Sequence, residues 1–280
     1  MRNWLKFFSV GVLVLGLAAC NDIAEGEPGK ESATSSELTI QELFQKTQEA
    51  SENQKSMHAE IEMTQNIKMP GEDLDMESKT FMEMDMVLEP MSMYQRMEME
   101  MEGVDESIQA ETYMTSDGFF MKEPDSDSWI QLPNELLEQL SESILDSADP
   151  TLDFGTLVKY VEDFKFEQDD KNYILKLKAS GENFQELVKE QLDASGMTEG
   201  MGEEELAALE TMIIHQMDYE IFIDKKTFYT NAFNMVLDIE MPAGDEMLRV
   251  KQNTKAQITK INEIKEIKIP QEVIDNAVEQ

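Results

Sequence analysis

Methionine and glutamate alternate with period two along stretches of this chain, and that period fixes what those stretches can become. Ala59, Ile61 and Met63 alternate with Glu60, Glu62 and Thr64. Met82, Met84, Met86 and Leu88 alternate with Glu83, Asp85 and Val87. Met97, Met99 and Met101 alternate with Glu98, Glu100 and Glu102. On a strand such alternation gives one apolar face and one wet face. On a helix the same methionines would scatter around the axis. Glu and Met are good helix formers, so intrinsic propensity points the other way. A period held over this length outweighs it, and each stretch predicts a half-buried strand.

The rest of the chain supplies turns, further strands and helices. Thr39 followed three residues later by Glu42 is a capping box for a helix running to about Asn53. Tyr113–Thr115, Ser116-Asp117-Gly118 and Phe119–Lys122 predict a hairpin on an Asp-Gly turn. A short strand at Trp129–Leu132 ends at Pro133. Helices are predicted from Asn134 through Ile144, at 154–161, at 183–192 and at 206–216, with a mobile loop at 194–205. A second hairpin spans 164–178 around Asp169-Asp170-Lys171-Asn172. Strands at 219–223, 231–240 and 248–261 follow, and Pro270 starts a short terminal helix. The order helix, strands, helices, strands implies an α+β fold with an antiparallel sheet.

Charge excludes some partners. The chain has 59 Asp+Glu against 23 Lys+Arg, a net −36. Nucleic acid needs clustered Lys and Arg to meet phosphate, and this chain lacks that balance. The same charge keeps the body from lying flat on an anionic bilayer by electrostatics. Acidity of this order suits a disordered chain, but 41% hydrophobic residues in periodic order predict a folded domain with an acidic surface.

The amino terminus carries an address. Arg2 and Lys6 precede an apolar run from Phe7 to Leu17, which reads as a secretory signal. The run is shorter than the roughly 20 residues that span a bilayer as a helix. Leu17-Ala18-Ala19-Cys20 resembles the lipobox of bacterial lipoproteins. The resemblance implies cleavage after residue 19 and a diacylglyceryl thioether on Cys20, anchoring the protein to the extracytoplasmic face of the plasma membrane. Cys20 is the only cysteine, so no intrachain disulfide forms. Residues 20–37 read as a flexible acidic tether, and 38–280 as a single domain.

Three passages carry a further likeness. They are Tyr113–Trp129, Ile221-Phe222-Ile223-Asp224-Lys225-Lys226-Thr227 followed by Met235, and Asn262-Glu263 through Ile269-Pro270. With the lipobox, they resemble Gram-positive lipoproteins of the DUF6612 kind. These in turn resemble the wider LolA-like and LppX/LprG-like group. The resemblance covers roughly residues 38–277. It implies a curved, half-closed antiparallel sheet, a half-barrel with helices packed on its concave side, which in that group often holds acyl chains. It brings no catalytic residues.

The methionine stripes are the main candidate site. Met82, Met84, Met86, Met97, Met99 and Met101 fill a core beneath the helices or line an adaptable cleft for a lipid or other hydrophobic ligand. Thioethers also suit Cu(I), but no cysteine or histidine cluster supports such a site, and no metal or other cofactor is expected. His58 and His215 stand alone in sequence, without the spacing of a metal site. Acidic runs such as Glu203-Glu204-Glu205 lack the register of a calcium loop. No nucleophile elbow, P-loop or dinucleotide fingerprint occurs, so no catalytic set is expected. The alternative to ligand binding is an envelope protein with a filled core that works through its acidic surface.

Overall fold

The computed structural model describes residues 25–26, 38–69, 74–123, 128–133, 164–179, 202, 211–243 and 246–279. The predicted signal, Cys20, most of the predicted tether, the helices predicted at 134–144, 154–161 and 183–192, the predicted loop at 194–205 apart from Gly202, and residues 206–210 of the helix predicted at 206–216 lie outside the described residues.

The chain begins with β1 (Glu25–Gly26) and α1 (Ile40–Ser51). Three long strands follow, β2 (Ser56–Met69), β3 (Leu74–Leu88) and β4 (Met91–Met101). Next come β5 (Ile108–Thr115), β6 (Gly118–Lys122) and β7 (Trp129–Leu132). The second hairpin is β8 (Phe164–Gln168) and β9 (Asn172–Ala179). Then come β10 (Ile213–Asp224), β11 (Thr230–Ala243) and β12 (Glu246–Thr259). The chain closes with α2 (Gln271–Asn276) and β13 (Ala277–Glu279).

The thirteen strands of the described residues form one sheet, in the order β1-β8-β9-β10-β11-β12-β2-β3-β4-β5-β6-β7-β13. Except for β1 and β13, which pair in parallel at the two edges, neighbours run antiparallel. The described fold is thus mostly β, an open curved sheet with few helices. The expected concave lining of helices is not evident: among the described residues only α1 and α2 are helical.

Each predicted strand is present. One predicted helix is corrected: Ile213–Gln216 belong to β10, where Ile213 and Ile214 pair with Glu240 and Ile239. The bulge between Ile214 and Gln216 shifts the register, so Ile214 and Met217 are both buried. That three-residue spacing imitates a helical period.

α1 forms where its cap predicts. The Thr39 side chain accepts from the Glu42 backbone N–H, while the Glu42 carboxylate accepts from the Thr39 N–H at 2.9 Å. Its apolar stripe, Ile40, Leu43, Phe44 and Thr47, is buried against β8–β11. Phe44 meets Phe164 edge to face, with ring centroids 5.7 Å apart. The face of the sheet that α1 covers is called inner below.

A second cluster, Met57, Met86, Met93, Met114 and Ile258, fills one end of the inner face. This closed end is cross-linked by Asn262, held at φ 62 just past β12. Its carbonyl oxygen accepts from the Lys55 N–H at 2.6 Å, and its amide donates to the Tyr229 hydroxyl at 2.9 Å. The Asp224-Lys225-Lys226-Thr227 passage is the β10–β11 turn: Asp224 Oδ1 accepts from the Lys226 and Thr227 N–H groups, each at 2.9 Å. α2 lies on the other side of the sheet, where Val273 packs with Phe120 and Trp129.

Candidate functional site

Register brings the methionines together. In antiparallel strands, directly paired residues share a face. Met82 pairs with Met97, Met86 with Met93, and Thr80 with Met99. Met84 pairs with Ala59 and Gln95, and Met101 pairs with Ser78. Met82, Met84, Met86, Met97, Met99 and Met101 therefore all lie on the inner face, on two adjacent strands. The same rungs extend sideways to Ile61 and Ala110, and to Met57 and Met114.

Their surroundings divide the six. Met86 is buried in the cluster that fills the closed end, and Met84 packs against it. Met82, Met97, Met99 and Met101 are half-buried along the part of the face that runs towards the opposite end. One strand pair thus carries both core filling and accessible apolar surface.

The whole inner face shares this chemistry. Among the described residues paired on it from β2 to β12, Glu246 at the end of the sheet, opposite Ala243, is the one with a formal charge. Its other polar groups are neutral. Gln65 donates to Gln252 at 3.3 Å, and Gln252 donates to Thr254 at 3.0 Å. The Thr80 hydroxyl, on a residue 3% exposed, has no hydrogen-bond partner among the described residues. Burying a hydroxyl unpaired costs about 1–3 kcal/mol on protein scales, so a ligand oxygen there would relieve it. Burial pushes the Tyr219 phenol up to about 12 where it packs against the α1 cluster.

The outer face has the opposite character. Glu60, Glu83, Arg96 and Glu111 form one rung, and Lys255, Glu62, Phe81 and Glu98 another. Arg249 grips Asp238 with two bonds of 2.8 Å, and this guanidinium holds the Asp238 carboxyl below the usual carboxylate range. His58 Nδ1 lies 2.7 Å from Asp85, and His215 Nε2 lies 2.9 Å from Glu240. Each histidine therefore has a carboxylate partner on the solvent side. Burial and the neighbouring Glu111 carboxylate raise the Tyr94 phenol, which donates to Glu111 at 3.0 Å. Among the described residues, no group of three or more His, Cys, Asp or Glu is placed to hold a metal ion.

The sequence-level stripe was incomplete. Thr80 and Gln95 interrupt it, and Met57, Met93 and Met114 continue it across strands. Only pairing register could connect Met57 and Met114 to it. Within β4, Met91 and Met93 extend the same period two and were legible.

Comparison with known proteins gives a family and little more. The family model described as "Family of unknown function (DUF6612)" matches residues 39–278. A search of curated proteins gives no match. Among solved structures, a β-barrel-like protein of domain of unknown function DUF1849 from Brucella abortus is similar, at 8% identity and a TM-score of 0.22. The match covers 74% of this chain and 99% of that one. A DUF1329 family protein from Desulfovibrio piger is similar at 9% identity and a TM-score of 0.22, covering 79% of this chain and 91% of that one. Backbone likeness at that level carries no argument about this fold. Among the described residues, no helix is long and apolar enough to cross a membrane.

Proposed function

The chain belongs to the DUF6612 family, whose function is unknown, and from that premise we propose that it is an extracytoplasmic lipoprotein that binds an apolar ligand on its inner sheet face. In this reading Cys20 carries the lipid anchor and the acidic body stands off the membrane on its tether. The ligand is a lipid or acyl chain lying along Met82, Met97, Met99 and Met101. The single observation that carries the reading is the separation of charge: an inner face nearly free of charge and rich in half-buried methionine, backed by an outer face dense in carboxylates. Apolar burial supplies about 25 cal/mol per Å², and the flexible thioethers repack around chains of different shape. The LolA-like resemblance agrees with such a role by analogy alone.

The second reading, a partner-binding envelope protein, is favoured by Phe81, a 37% exposed ring set among carboxylates on the outer face. One experiment separates the two. Met82→Glu combined with Met97→Glu puts two carboxylates on one inner rung, in the accessible half of the stripe. The chain from Asn21 onward should bind a fluorescent fatty acid saturably, and the double variant should lose that binding while staying folded by circular dichroism. Equal binding by both proteins overturns the inner-face assignment.

A further inference from the structure

Neutral polar side chains cross the middle of the inner face as a belt. Thr254, Met63, Thr80 and Met99 share one rung, and Gln252, Gln65, Ser78 and Met101 share the next. The belt therefore runs up to Met99 and Met101, inside the accessible stretch of methionine and next to the Met82–Met97 rung.

Part of the belt is already joined. Gln65 donates to Gln252, and Gln252 donates to Thr254. This relay fixes the two amides and leaves the Gln65 carbonyl oxygen as an acceptor without a donor among the described residues. The buried Thr80 hydroxyl has no partner there either. Gln65 pairs with Ser78, so Thr80 is its diagonal neighbour across β2 and β3, at a Cβ spacing of about 7 Å. A ligand group with two oxygens, such as an ester beside a hydroxyl, bridges that distance. Met63 and Met99, half-buried on either side of Thr80, have side chains flexible enough to move aside for it.

The same belt meets no charge. Glu246, the charged residue of this face among those described, stands on β12 at the end of the sheet. It is eight residues from Thr254, roughly 26 Å along the strand. A carboxylate or phosphate head on the belt would lose water and gain no cation, which is costly. An ester or hydroxyl meets the same groups at far lower cost.

We propose that the ligand is an uncharged acyl amphiphile, an acyl ester of glycerol or a similar alcohol, with its chain along the methionines and its ester and hydroxyl oxygens on Thr80 and Gln65. This rests on the ligand-binding reading of the inner face and adds the class of ligand to it.

The test is competition on the chain from Asn21 onward, which keeps every described residue. An uncharged naphthylamine dye reports on the face, and monooleoylglycerol and oleate displace it, each below its micelle concentration. Monooleoylglycerol should displace the dye at about a tenfold lower concentration than oleate, which carries the same chain. Thr80→Val keeps the shape and removes the hydroxyl. It should weaken monooleoylglycerol roughly fivefold, the worth of one hydrogen bond, and leave oleate unchanged. Without ligand, Thr80→Val should hold or raise the urea midpoint, because an unpaired buried hydroxyl is lost. Gln65→Leu, at a half-buried position, should weaken monooleoylglycerol in the same selective way. Oleate competing as well as monooleoylglycerol overturns the proposal and leaves the inner-face reading standing. A lowered midpoint in Thr80→Val, or equal effects on both competitors, overturns the placement of the polar group. Failure of the dye to bind, or equal dye binding by the Met82→Glu, Met97→Glu protein, defeats the inner-face reading and the ligand class with it.

Discussion

Single side chains decide how the closed end holds together. Asn262 joins three separate stretches through one carboxamide and one positive φ. Asparagine tolerates that backbone region better than most residues. Asn262→Ala strands those partners and should lower stability by about 1–2 kcal/mol, read as a fall in the urea midpoint with an unchanged slope. The Asp238–Arg249 pair makes a pH prediction. Asp238 titrates below its ordinary value chiefly because Arg249 donates to it. A carboxyl lowered on folding adds stability above the unfolded value of about 4 and loses it as pH falls through the folded one. Asp238→Asn should therefore flatten the acid limb of the stability profile below about pH 4 and leave its alkaline limb alone. An unchanged acid limb would show that the pair is too well solvated to matter.

Elements were legible where a local rule decides them. The Thr39–Glu42 box starts α1, and the Asp-Gly turn sets Thr115 opposite Gly118. Gly118 sits at φ +145, and a Cβ there would lie 2.7 Å from the Phe120 ring, so the turn needs glycine on both counts. The error at Ile213–Gln216 has a physical source. A β-bulge spaces Ile214 and Met217 three apart, and only pairing with β11 reveals that both point inward. α1 is held by packing more than by propensity, since 12 residues are marginal as an isolated helix. Phe44→Ala should cost about 3–5 kcal/mol. It should also expose the β8–β11 face to a hydrophobic dye, while Gln45→Ala on the wet side should do neither.

At the scale of the molecule, alternation within strands was readable but the joining of strands was not. Period two placed Met82 and Met84 on one face of their own strand. It could not say that Met97 pairs with Met82, that Thr80 lies buried between Met63 and Met99, or that Met86 belongs to the core while Met97 stays half-buried. Those facts depend on register between residues far apart in the chain. The separation of an uncharged inner face from a charged outer one emerges only there, and it is the basis of the ligand reading. The most direct measurement is native mass spectrometry of the chain from Asn21 onward, purified from a bacterial host without detergent. The account predicts a population with added mass that extracts into organic solvent as lipid, and that population should vanish in the Met82→Glu, Met97→Glu protein. A clean unliganded mass, with no uptake of added phospholipid or fatty acid, would contradict it and leave the methionine face as a filled core.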